Sequence, residues 1–174
     1  MKLAYTICEQ PGQTDRTLAA LAEALISRGM AVAGVVQTNS KQCDQHLCDM
    51  DVRVLPDGAV YRISQSLGKE ARGCRLDPGA LEQAVGAVSA TLGRAPELLI
   101  INKFGKHEAD GRGFRPLIAD ALARDIPVVL GVSKLSLPAF LDFAGEVAEF
   151  VEPDVEALLN WVEAQCAASQ KACA

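Results

Sequence analysis

No stretch of this 174-residue chain reaches the roughly 18–20 consecutive apolar residues that a membrane-spanning helix needs. The apolar run that opens MKLAYTICEQPGQ is too short for a secretory signal and lacks a small-residue cleavage pattern. These two absences lead to the expectation of a cytoplasmic protein with no membrane partner. An excess of basic residues is also missing. Lys and Arg number 17 against 22 Asp and Glu, for a net charge of −5. A general nucleic-acid binder needs a broad cationic face, so none is expected here and any cationic site must be local. Histidine is scarce, with only His46 and His107, and no Ser–His–Asp arrangement stands out. The phosphate-binding pattern G-x-x-x-x-G-K-[ST] is absent as well. Six cysteines are present, and a reducing compartment would keep them as thiols.

What is present is an ordinary core. Hydrophobic residues make up 49% of the chain and charged residues 22%, which suits a soluble domain with a substantial interior. Residues 1–168 read as a single α/β domain and residues 169–174, SQKACA, as a flexible tail. KLAYTI (2–7) reads as a strand. TDRTLAALAEALISRG (14–29) reads as a helix, with Leu18, Leu21, Ala22 and Leu25 on one face and Thr14 or Asp15 able to cap it. AVAGVVQ (31–37) is a second strand, completing a βαβ unit of a parallel sheet. VRVL, the turn Pro56–Gly58 and AVYRIS predict a β-hairpin. Asp77 and Pro78 suit the start of a helix carrying Leu81, Ala84, Val85 and Val88. ELLIIN (97–102) and IPVVLGVS (126–133) are strands flanking a helix begun at Pro116. A short helix at LPAFLDFAG, an edge strand at AEFV and a final helix from Asp154 complete a three-layer, mostly parallel α/β fold with an inserted hairpin.

Ligands of open parallel sheets sit at the carboxyl ends of the strands, and two loops qualify. The first precedes a helix whose free N–H groups and positive dipole end favour an anion. Aligned with the phosphate-binding pattern, Gln10 stands at the first glycine, Asp15 at the second and Arg16 at the lysine, while Thr17 matches. The anion-binding candidates there are Gln10, Gly12, Gln13, Thr14, Asp15, Arg16 and Thr17. The second loop follows LLII and reads NKFGKHEADGRGFRP. A phosphate-hydrolysing enzyme ends this strand in an Asp that orients the water shell of Mg²⁺. Asn102 and Lys103 stand there instead, a neutral amide and a repelling ammonium, which disfavours Mg²⁺. Asn102, Lys103, Lys106, Arg112 and Arg115 are therefore expected to converge on a small anionic ligand. The plainer alternative is a solvated loop in which Lys106 and Glu108 pair for little energy.

The chain resembles an uncharacterised bacterial family that is encoded beside molybdate-transport genes and placed among P-loop nucleoside-triphosphatase-like proteins. TDRTLAALA (14–22), RGMAVAGVVQTN (28–39), CDMDVRVLPDG (48–58), GCRLDPGALE (73–82) and INKFGKHEADGRGFRPLI (101–118) carry the resemblance. It implies a P-loop NTPase-like fold, a link to molybdenum handling, and ATP, ADP, GTP, molybdate or another oxyanion as ligand. NKFGKHE (102–108) is also similar to the D-E-x-G-K-M-E segment of nucleoside-triphosphatases acting on several nucleotides. Gly105, Lys106 and Glu108 match, which makes Glu108 the candidate catalytic group; Asn102 and Lys103 replace the acidic pair. Three readings follow: a nucleotide- or oxyanion-binding protein, a divergent nucleoside-triphosphatase, or a non-catalytic adaptor or metal-binding protein.

Cys43, His46 and Cys48 share one polar loop and Cys74 lies in the next. Thiolates and imidazole suit a thiophilic metal, with Cys48 and Cys74 as candidate ligands. The plainer reading makes them small buried or reactive thiols. The hairpin at 52–64 has an exposed face on which a homo-oligomer could form.

Overall fold

The apolar runs assemble into one seven-stranded sheet with the order β4-β3-β2-β5-β6-β1-β7. The computed structural model describes residues 2–39, 49–65 and 75–172. Its strands are β1 (Leu3–Thr6), β2 (Val32–Asn39), β3 (Met50–Val54), β4 (Val60–Arg62), β5 (Leu98–Phe104), β6 (Val128–Val132) and β7 (Ala148–Phe150). Strands β2, β5, β6, β1 and β7 run parallel, each to its neighbour. The expected hairpin is β3–β4, and it extends the sheet as an antiparallel edge beside β2.

Helices cover both faces, as parallel sheets require. On one face lie α1 (Gln13–Ser27) and α6 (Val155–Ala172); on the other lie α2 (Pro78–Leu92), α4 (Arg115–Ala123) and α5 (Leu137–Ala144). The LLII run of β5 shows why a buried strand is apolar without alternation. Leu98 and Ile100 pack with Leu18, Leu21 and Leu158 under α1 and α6, while Leu99 and Ile101 pack with Leu81, Val88 and Ile118 under α2 and α4. Asp77 caps α2, its Oδ1 accepting the Ala80 N–H at 3.0 Å, with Pro78 at the first helical position. Among the described residues no helix is long and apolar enough to cross a membrane.

Four local expectations are corrected. Neither Thr14 nor Asp15 caps α1; the cap is Gly12, in a left-handed conformation (φ 72°) with no side-chain cap bond, and the helix begins at Gln13. Strand β5 does not stop at Asn102 but continues to Phe104 through a bulge between Ile101 and Phe104. The reason is packing: Phe104 is fully buried, its ring 5.2 Å from that of Phe140 and 5.8 Å from that of Phe143. Part of the long polar connection folds into a short helix, α3 (Lys106–Ala109). Finally α6 runs to Ala172, past the point where the tail was placed.

Candidate functional site

The loop after β1 and the first turn of α1 close over the carboxyl ends of β2, β5 and β6. A cavity of about 340 Å³ opens there, lined by Cys8–Gly12, Thr14, Asp15, Gln37, Asn39, Lys103, Gly131 and Val132. Two backbone features bring its walls together. On β6, Gly131 has no side chain where α1 arrives: a Cβ there would overlap the Thr14 methyl and lie 2.6 Å from the Asn102 carbonyl oxygen. On β5, the bulge supplies an extra residue between two inward-packed positions. It places the Asn102 side chain against α1 and leaves Lys103 exposed on the cavity wall.

Asp15 is the centre of a hydrogen-bonded ring. Its Oδ1 accepts from Asn102 Nδ2 and its Oδ2 from Asn39 Nδ2, both at 2.8 Å. Asn102 is 3% exposed, and its Oδ1 accepts the Gln37 backbone N–H at 2.9 Å. Gln37 Nε2 in turn donates to Asn39 Oδ1 at 2.9 Å. The side-chain amides from β2 and β5 thus converge on a carboxylate carried by α1. The Gln13 N–H donates to Gln10 and the Arg16 N–H to Gly12, whereas the N–H groups of Thr14 and Asp15 have no partner and stand open at the cavity. Such open N–H groups accept an anion's oxygens.

The charges balance rather than add. At about 4 Å and an effective dielectric near 20, one unit charge attracts or repels another by roughly 4 kcal/mol. Lys103 would favour a phosphate by about that much and Asp15 would oppose it by the same order. Glu9 is occupied with Lys134, whose Nζ is 3.0 Å from its Oε1.

The sequence-derived candidates divide accordingly. Gln10, Gly12, Thr14, Asp15 and Lys103 line the cavity, and Asn102 supports it from behind. Gln13, Arg16 and Thr17 do not line it; Arg16 is exposed and Thr17 buried. Lys106 and Arg112 are exposed outside the cavity and make no ion pair. Arg115 is engaged elsewhere: its guanidinium stacks 4.6 Å over the Phe143 ring and donates to the Ala109 carbonyl at 3.3 Å. The expected convergence of four cations is therefore corrected to one, Lys103. Gln37, Asn39 and Cys8 were not anticipated; the polar Q-T-N at the end of the β2 run was the available signal.

Glu108 also lies outside the cavity. At 4% exposure it latches its own loop, Oε2 accepting the Gly105 N–H at 2.9 Å and Oε1 the Phe114 N–H at 3.3 Å. From α2, Glu82 holds the same loop through His107 Nε2 at 3.3 Å and the Gly113 N–H at 3.2 Å. Replacing Glu108 by Ala leaves buried N–H groups unpaired, each costing about 1–3 kcal/mol. Urea unfolding should show that loss, with faster amide exchange confined first to 105–114. The metal candidates Cys48 and Cys74, with Cys43 and His46, lie outside the described residues. Among the described residues no group of three or more His, Cys, Asp or Glu side chains is placed to hold a metal ion.

A mostly parallel sheet with helices on both faces, and a strand–loop–helix turn beneath a cavity, define a P-loop nucleoside-triphosphatase-like fold. The crystal structure of THEP1 from the hyperthermophile Aquifex aeolicus superposes with a TM-score of 0.64 at 16% identity, covering 94% of this chain and 95% of that one. The solution structure of a human cancer-related nucleoside triphosphatase gives a TM-score of 0.58 at 19% identity, covering 86% of each chain. The family model described as "Protein of unknown function (DUF2478)" matches residues 3–161, and the chain belongs to that family. Molybdenum import ATP-binding protein ModC 2 of Bradyrhizobium diazoefficiens is 33% identical over 147 residues, 84% of this chain but 16% of that protein. The chain thus spans about a sixth of the length of that relative.

Proposed function

We propose that this protein is a binding domain that holds a nucleotide or small oxyanion in the cavity over α1, without rapid hydrolysis, as part of molybdenum handling. The observation that carries the reading is the Asp15–Asn102 hydrogen bond. It joins the two positions where a hydrolysing P-loop protein has a glycine before its lysine and a carboxylate for the Mg²⁺ shell. Here the glycine position bears the carboxylate and the strand end bears an amide. A site so arranged keeps N–H donors and one ammonium for a ligand while lacking the lysine and the metal-positioning acid of phosphoryl transfer. Likeness to part of a molybdenum import protein supports the molybdenum connection.

Melting curves with ADP, ATP, GTP, molybdate and sulfate, each with and without Mg²⁺, test the reading. A ligand at 100 times its Kd adds about 2.7 kcal/mol of stability. Metal-independent stabilisation with no phosphate release is the expected result. Stabilisation that requires Mg²⁺, with phosphate released, would favour a divergent nucleoside-triphosphatase. No shift with any anion would favour an adaptor. Lys103→Ala should weaken binding about tenfold to a hundredfold, the range of a charged hydrogen bond, whereas Lys106→Ala should leave it unchanged. Equal losses from both would place the ligand elsewhere.

A further inference from the structure

We propose that the cavity reads the base edge of a guanine-type nucleotide, with Asp15 as the specificity-determining acceptor. The proposal rests on the reading that the cavity holds a nucleotide, and it fixes which end of that nucleotide meets α1. An ionised carboxylate accepts only, with about four lone-pair positions on its two oxygens. Asn102 fills one position on Oδ1 and Asn39 one on Oδ2. Each oxygen keeps acceptor capacity, so the carboxylate presents a side-by-side pair of acceptors.

The amides around it cannot turn over freely. The oxygen of Asn102 is taken by the Gln37 N–H, and that of Asn39 by Gln37 Nε2. Their NH₂ groups must therefore face Asp15. The ring orients every donor toward the carboxylate and holds it in its accepting form.

A pair of adjacent acceptors selects a pair of adjacent donors, as carboxylates do with the fork of a guanidinium. In a nucleotide that pair is the N1–H and 2-amino group of guanine. The same edge bears a carbonyl oxygen beside N1–H, and the cavity supplies its complement in Lys103 and the open N–H groups of Thr14 and Asp15. Adenine would set its N1 lone pair against the carboxylate. Hypoxanthine lacks the 2-amino group and leaves one acceptor without a partner. Polyphosphate aimed at this wall would meet the Asp15 charge, so the phosphates belong at the cavity mouth. At about 340 Å³ the cavity lies within the range of small-molecule sites.

Isothermal titration of the full chain with GMP, IMP, AMP and sodium molybdate, all without Mg²⁺, tests the proposal. GMP should bind at least tenfold more tightly than IMP or AMP, since a site built to pair a donor rejects the analogue lacking it. Asp15→Asn should abolish that preference, with circular dichroism confirming the fold. Because that substitution sets a new NH₂ group against Asn39 or Asn102 and can disturb the ring, the wild-type ranking stands as a test by itself. Equal affinity for the three nucleotides, or a preference for AMP, would overturn the base-edge proposal while leaving nucleotide binding intact. Binding of molybdate without any nucleotide would overturn it and keep the oxyanion reading. No binding by any of the four would overturn both.

Discussion

Gly34→Ala is expected to leave little folded protein. Gly34 sits in the middle of β2, paired with Ile100 of β5, at φ 118°. An alanine there suffers twice. The left-handed conformation is strained for any residue with a Cβ. The Cβ itself would be driven into the Ile100 carbonyl oxygen, and would lie 2.7 Å from its carbon and 2.8 Å from its nitrogen. Those are backbone atoms of the neighbouring central strand, so no side chain can swing away. The glycine carbonyl also accepts the Leu55 N–H at 2.9 Å, which ties the end of β3 to the same point. Strain and overlap together should cost about 3–5 kcal/mol, against a total stability of about 5–15 kcal/mol. Scanning calorimetry should show a fall in Tm of roughly 6–20 °C, at about 2–4 °C per kcal/mol for a chain of this size. An unchanged Tm would mean that β2 and β5 are not paired as described.

Gly131→Ala should damage the site more than the fold. Its Cβ would meet the Thr14 methyl, which can yield, and the Asn102 carbonyl oxygen at 2.6 Å, which cannot easily do so. Overpacking of this kind costs about 1–3 kcal/mol. The strain falls on the first turn of α1 and the Asn102 end of β5, which together hold Asp15 and the open N–H groups. Displacing that turn by a few tenths of an ångström spoils hydrogen bonds to a ligand while leaving both core clusters packed. The expected signature is a modest fall in Tm with at least a tenfold loss of ligand affinity. A variant that melts earlier yet binds as tightly would show that the ligand does not rest on the turn of α1.

Much of the architecture was legible because it follows from local chemistry. The βαβ unit, the Asp77–Pro78 start of α2, the β3–β4 hairpin and the edge strand at 148–150 each carry a local signal, either apolar periodicity or turn and cap residues. The end of β5 was not legible, because Phe104 follows Ile101 by three positions and both pack on the same side. Only the bulge reconciles that spacing with a strand, and a bulge leaves no periodic trace. The basic loop was correctly seen as basic, but charge alone does not reveal direction. A buried Glu108 that clasps Gly105 and Phe114 turns Lys106 and Arg112 outward, and Arg115 is drawn onto Phe143. Asp15 looked like a cap because it lies in a first turn. Its partners, Asn39 and Asn102, are 24 and 87 residues away in sequence, beyond the reach of any local pattern.

Cys8 offers the most direct measurement of whether a ligand occupies the cavity. Its thiol is on the cavity wall, whereas Cys166 packs beside the core under α1 and α6 and serves as an internal reference. Burial, with Glu97 nearby, pushes the Cys166 thiol up, so it labels slowly at neutral pH. Iodoacetamide labelling followed by peptide mass spectrometry, with GMP and molybdate in separate Mg²⁺-free arms, reads the two sites together. The account predicts that at least one of these ligands slows labelling of Cys8 several-fold and leaves Cys166 unaffected. Labelling of Cys8 at the same rate in every arm, under concentrations that fully cover the melting response, would contradict it.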